Sequence, residues 1–313
     1  MRPAPTPPGQ TPFDPGTGGD PLKGYAAVSF AVLVWAGWIV ATRDQVGTLG
    51  PIDIALMRYG VPAVLLAPIW WRKGLFPRGE SPWVMTVMIV GWGAPFVMLT
   101  AKGLETVPAA LFGPMVPAML PLLVGAWDRL VGGAPLGPQR AAGLALIAGS
   151  VALIVGPAIW RDDTGFLSGA PWLFLAACGW SAFTVAYRRS RLNGIEATAY
   201  VCLWSVPFLI AATLWLGTGL PGESWASLGW LALSQGVLSG VGAVAGYVYA
   251  VRHLGVARTS SFTSLVPMGA ALGAWAFLGE VPGPLDWASV TLACVGVALA
   301  NGAWGALRAR GRR

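Results

Sequence analysis

The chain has 313 residues, of which 55% are hydrophobic and 11% charged, with a mean hydropathy of +0.64. An ordinary soluble domain carries roughly 25% charged residues, so this composition excludes a soluble globular protein and points to an integral membrane protein. The net charge of +7 is spread over short clusters between apolar runs, with no basic stripe interleaved with aromatics, which argues against nucleic acid as a partner.

Residues 1–22 hold seven prolines (Pro3, Pro5, Pro7, Pro8, Pro12, Pro15 and Pro21) and read as a disordered cytoplasmic tail with no apolar h-region. From Lys23 onward, apolar stretches long enough to cross a bilayer follow one another. Ten are expected, at 24–42, 52–71, 82–101, 104–126, 139–158, 169–187, 197–217, 226–251, 258–279 and 285–306. Residues 307–313 form a basic cytoplasmic tail. With the N-terminus placed in the cytoplasm, sixteen Lys and Arg side chains fall on that side and three (Arg43, Lys102, Arg161) on the other. The positive-inside rule then puts both termini in the cytoplasm of a multi-pass protein of the inner (plasma) membrane.

The halves of the chain echo each other. WAGWIVATR (35–43) and WSAFTVAYR (180–188) share Trp, Val, Ala and Arg at an offset of 145. Ile52-Asp53 corresponds to Ile195-Glu196, Pro117 to Pro267, and LIAGSVAL (146–153) to LACVGVAL (292–299). A tandem repeat of five helices, an odd number, must place its copies upside down relative to each other. The fold class expected is therefore all-α, ten transmembrane helices as two inverted five-helix repeats (23–160 and 161–306) around a central cavity.

The stretch LGVARTSSFTSLVPMGAALGAWAFLGEVPGPLDWASVTLACVGVALA resembles the second half of the drug/metabolite transporter superfamily, EamA-like branch. Its order of small-residue helix start, helical Pro, "LGE" and Gly-containing last helix carries the resemblance; Trp127-Asp128-Arg129 stands at the "LGE" position of the first half. The resemblance covers nearly everything from Tyr25 on. It implies a secondary transporter or facilitator that exports small organic metabolites, amino acids first among them, by alternating access. It also implies that helices one, three, four, six, eight and nine enclose the cavity. Export of hydrophobic drugs or cations by proton antiport is the alternative, as is a membrane subunit without transport of its own. The small multidrug resistance proteins resemble one half of this fold and use a carboxylate in their first helix. The first helix here, Gly24 to Thr42, has none, which weakens drug/proton exchange.

Intramembrane polar groups are functional candidates by default. Arg58 lies six residues into the second expected helix, with Asp53 and Tyr59 nearby. It is either a cavity cation for a substrate carboxylate or phosphate, or a side chain that snorkels outward or pairs with Asp53. Glu105 is the proton-coupling candidate, with an ion pair to Lys102 as the competing reading. Pro108, Pro114, Pro117 and Pro121 break the fourth helix, and the ninth carries Ser264 ahead of Pro267; such segments either line a cavity or are kinked for packing. Trp35, Trp38, Phe112, Trp180 and Phe183 are aromatics that could stack on a substrate or simply pack, and Gln235 is a hydrogen-bonding candidate. Together with Arg58, Tyr59, Pro117, Ser264 and Pro267 they make up the substrate-contact set. Cys178, Cys202 and Cys294 read as small buried residues without metal-ligand spacing. The lone His253 and the lack of GxSxG, HExxH or GxxxxGK[ST] motifs give no sign of an enzyme, metal or cofactor. The partners expected are a small-molecule substrate and the lipid bilayer, and the expected state is a monomer.

Overall fold

The computed structural model describes residues 20–133 and 135–302. Among them the chain is all helical: α1 (Pro21–Gln45), α2 (Pro51–Leu65), α3 (Ala67–Lys73), α4 (Pro82–Trp92), α5 (Ala94–Leu104), α6 (Ala109–Met115), α7 (Met119–Leu130), α8 (Pro138–Trp160), α9 (Thr164–Tyr187), α10 (Gly194–Leu216), α11 (Trp225–Leu231), α12 (Ala243–Leu254), α13 (Val256–Thr263), α14 (Val266–Leu278) and α15 (Pro284–Ala300). A π-helical segment, Ala232–Gly242, joins α11 to α12. Of the expected tails, residues 1–19 and 307–313 lie outside the described residues, while Pro21 and Leu22 already belong to α1, capped by the Asp20 side chain.

Eight helical segments in the described residues are long and apolar enough to cross a membrane, and nine if the bent pair α2–α3 counts as one span. The last, α15, is apolar but has 17 residues. Side chains such as Leu33, Trp71, Trp160, Leu214, Trp215 and Phe277 are exposed outward, as a surface solvated by lipid requires.

The helix breaks have local causes. Pro62 and Pro68 flank the 59° bend between α2 and α3, and Trp70 Nε1 donates to Ala63 O across it (3.0 Å). Between α4 and α5 the chain passes through extended Gly93, two residues before Pro95; the freed Ala94 N–H is taken by Ser205 Oγ (3.0 Å) on α10. Pro117 cannot donate to the Gly113 carbonyl, so Ala118 N does so one residue late (3.1 Å), and α6 ends there. Ahead of Pro267, Ser264 Oγ turns back to Ser261 O (2.7 Å) where α13 gives way to α14. The fourth expected helix thus begins later than the sequence suggested, and Glu105 stands in the turn after α5 rather than at a helix start.

Small residues let the helices approach. Gly113 presses on Pro267, where an added Cβ would lie 2.4 Å from the Pro267 Cβ, so α6 crosses α14 almost backbone to backbone. Gly91 meets Gly179 between α4 and α9, Gly103 meets Gly169 between α5 and α9, and Gly143 meets Gly296 between α8 and α15. The α8–α15 pair is also joined by Ser289 Oγ donating to Ser150 O (2.9 Å). Elsewhere α1 packs on α12 and α14, α2 on α10 and the π segment, and α7 on α9.

Candidate functional site

Trp38, Thr42 and Gln45 recur at helical spacing along one buried face of α1. That face meets the π segment, whose wider turn presents Ser234 and Gln235 to it. The Trp38 indole N–H donates to Gln235 Oε1 (2.6 Å). The amide of Gln235 then donates to Thr42 Oγ1 (3.0 Å) and to Gln45 Oε1 (2.7 Å), and Gln45 Nε2 donates to Ser234 Oγ (3.3 Å). Gln235 has no solvent exposure, so every one of these bonds replaces water that the site lacks.

Aromatic rings wrap this polar core. Phe112 meets Trp38 edge-on at 5.9 Å and Phe96 stacks on it at 6.4 Å; Phe96 leads on to Trp180 at 5.5 Å. Trp92 stacks with Phe183 at 5.0 Å, Phe183 with Tyr187 at 5.7 Å, and Tyr59 Oη donates to Trp92 O (2.8 Å). The Arg58 guanidinium sits 5.4 Å from the centre of the Trp38 ring. Its Nη1 donates to the main-chain oxygen of Gln235 (3.3 Å), while Nε is buried without a hydrogen-bond partner. Gly236 and Gly240 make this approach possible, because a Cβ at Gly240 would lie 3.1 Å from Arg58 Nη1 and one at Gly236 would strike Val61.

Of the substrate-contact set, Trp38, Arg58, Tyr59, Phe112, Trp180, Phe183 and Gln235 therefore meet around one centre. Trp35 points elsewhere, against Tyr247 of α12 (5.6 Å). Pro117, Ser264 and Pro267 lie at the helix breaks, with Pro267 on Gly113. Asp53 is not the partner of Arg58: its carboxylate caps α2 through Gly50 N (3.3 Å) and accepts from Gly219 N (3.1 Å) and the Thr218 hydroxyl. Glu105 pairs with Lys102 (2.5 Å) and stays outside the centre. Phe96, Trp92, Thr42, Gln45 and Ser234 escaped the sequence reading; the spacing of 38, 42 and 45 was the available signal.

Two ion-paired clusters lie at opposite ends of the bundle. Arg43, at the end of α1, donates through Nε to Glu280 (2.7 Å) and through Nη1 to the Leu104 and Glu105 carbonyls (2.5 and 2.9 Å). Glu280 also accepts from Ala109 N (2.8 Å), tying the α5–α6 turn to the end of α14. Arg188, just past α9, donates to Asp128 Oδ1 (2.8 Å), which shares its other oxygen with Arg140 (3.2 Å). Gly169, near the start of α9, lies against Gly103 beside the Arg43 cluster. Arg188 comes nineteen residues later, about 28 Å away along the helix, so the two pairs sit at opposite ends.

A bundle of apolar helices around a buried polar and aromatic centre, with ion pairs at either end, fits a membrane transporter. The EamA-like transporter family matches the chain twice, over residues 22–156 and 167–302, and the chain belongs to that family. It is 29% identical over 294 residues to a probable terminal-alkyne amino-acid exporter of Streptantibioticus cattleyicolor, covering 89% of this chain and 93% of that one. It is 24% identical to an uncharacterized inner membrane transporter of Escherichia coli (strain K12), over 88% and 89% of the two chains. A solved crystal structure shares the fold with a TM-score of 0.59 at 18% identity, covering 90% of this chain and 98% of that one.

Proposed function

We propose that this protein is a secondary transporter that exports small organic metabolites, amino acids foremost, by alternating access of two inverted five-helix repeats. The carrying observation is the buried Trp38–Gln235–Arg58 centre, built where α1 and α2 from one half meet the π segment from the other. Transporters of inverted-repeat design bind substrate at such a junction of discontinuous helices.

The packing supports the repeat. Exchanging each helix of residues 23–160 with its counterpart in 161–306 turns the contact of α1 with α12 into that of α9 with α5. The same exchange maps the contact of α8 with α15 onto itself. The ion pairs obey it too, since Arg43 with Glu280 becomes Arg188 with Asp128. In this reading ten spans cross the plasma membrane, both termini face the cytoplasm, and the Arg43 end faces outward, as the distribution of Lys and Arg favours. Breaking one pair while keeping the other opens the centre to one side. The alkyne-bearing amino acid in the name of the Streptantibioticus relative fits an amino acid as cargo, with an apolar body against Trp38, Phe96 and Phe112.

Proteoliposomes loaded with a panel of labelled amino acids and other metabolites, with and without a pH gradient, test this. Efflux of at least one panel member, abolished by a disulfide that locks the halves together, is expected. A flat response across the panel overturns the amino-acid reading, and efflux that persists through the lock overturns alternating access.

A further inference from the structure

Arg58 is 93% buried by its 7% exposure, and among the described residues no carboxylate pairs with it. Asp53, the nearest in sequence, is fully engaged with Gly50, Thr218 and Gly219. The guanidinium is held by one main-chain carbonyl and the Trp38 face, and its Nε is left without an acceptor. A buried cation needs a counter-charge and acceptors for its fork of donors, and the planar geometry suits a carboxylate. The opposite requirement is missing. The described ring and amide cluster holds no Asp or Glu, and the side-chain oxygens of Gln235 and Gln45 already accept from Trp38 and from Gln235. An ammonium group would find hydroxyls and ring faces there, and among the described residues no carboxylate to pair with.

We propose that Arg58 is the carboxylate anchor of the transport site, so that cargo is recognised as a carboxylate carrying an apolar body, with the α-ammonium making no required contact. The inference rests on the central site proposed above and goes beyond it by naming the chemical group read there. The Trp38, Phe96 and Phe112 rings face the body, and Gly240 lets Arg58 Nη1 come close against the π segment. Because the guanidinium is enclosed, cargo reaches it only when one end of the bundle opens.

The experiment measures binding to the purified full-length protein by calorimetry for four ligands with one body: phenylalanine, 3-phenylpropionate, phenylalanine amide and phenethylamine. Phenylalanine and 3-phenylpropionate should bind within about threefold of each other, and the amide and amine at least tenfold more weakly. Arg58→Gln should weaken both acids at least tenfold without weakening the amine, with Arg58→Lys recovering part of the loss. Should Arg58→Gln not fold, the wild-type ranking decides alone. Equal binding of acids and amide, or a strong penalty for losing the ammonium, overturns the anchor. Efflux of an amino acid with full activity in Arg58→Gln overturns the anchor and leaves the transporter reading standing. Absence of both binding and efflux for every ligand in the wild type overturns both.

Discussion

Glu280→Gln keeps the size of the side chain and removes the charge that Arg43 and the Ala109 N–H share. The amide has one acceptor oxygen where the carboxylate has two, so one of these bonds is lost and the other weakens. Hydrogen bonds to charged groups contribute about 1.5–3 kcal/mol each. The side chains of Arg43 and Glu280 are 26% and 20% exposed, which screens the pair in part. A net loss of about 2 kcal/mol, roughly 30-fold in the closed-to-open ratio at the Arg43 end, follows. The assay uses Ala110→Cys, a buried position one residue past the Glu280-capped Ala109, with Cys178, Cys202 and Cys294 replaced by alanine. Its labelling rate with a membrane-impermeant maleimide should rise by roughly that factor in Glu280→Gln. Asp128→Asn, which releases Arg188 and Arg140 at the opposite end, should lower the rate. Equal labelling in wild type and Glu280→Gln, or faster labelling in Asp128→Asn, refutes the idea that the two pairs oppose each other.

Gln235→Leu should lower the melting temperature in detergent and abolish transport, because it strands Trp38 Nε1 and leaves Gln45 and Thr42 short of a partner at about 1–3 kcal/mol per unpaired group; an unchanged melting curve would show that the network is dispensable. Gly113→Ala drives a methyl into Pro267 and should destabilise the protein by about 1–3 kcal/mol, read as a lower melting temperature, whereas Gly149→Ala, in open space on α8, should not. Ser205→Ala leaves the Ala94 N–H at the α4–α5 break without its acceptor and should cost about 1–2 kcal/mol, measured by thermal unfolding against Ser29→Ala, an exposed control.

Helix positions were legible in the sequence because the bilayer demands long apolar runs, and the proline breaks were legible because proline lacks a donor. Arg58 stood out for the same reason, as the one charge inside a run. Its surroundings did not. Asp53 is five residues away in sequence, yet it turns to Gly219, and Arg58 turns to Gln235, 177 residues on. In a soluble helix an apolar stripe would show which face is inside, but lipid is as apolar as the core, so the helices are apolar all round and the face turned inward leaves little trace. Only the polar rhythm of Trp38, Thr42 and Gln45 marks the inner face of α1. Glu280 was visible as part of the "LGE" motif, but its partnership with Arg43 spans 237 residues and depends on how α1 and α14 meet.

The glycine contacts carry a consequence for how the chain is made. Gly91, Gly103 and Gly143, on α4, α5 and α8, find their mates in Gly179, Gly169 and Gly296, none of which has been synthesised when these helices emerge. Those helices enter the membrane with bare backbone faces and must wait, individually stable but unpaired, until the rest arrives. Assembly order follows from these contacts: α9 is the first arrival able to cover two of the waiting faces, and α15 arrives later to close on α8. A chaperone or neighbouring lipid that shields α8 in the interval would shape the yield of folded protein without touching the transport site.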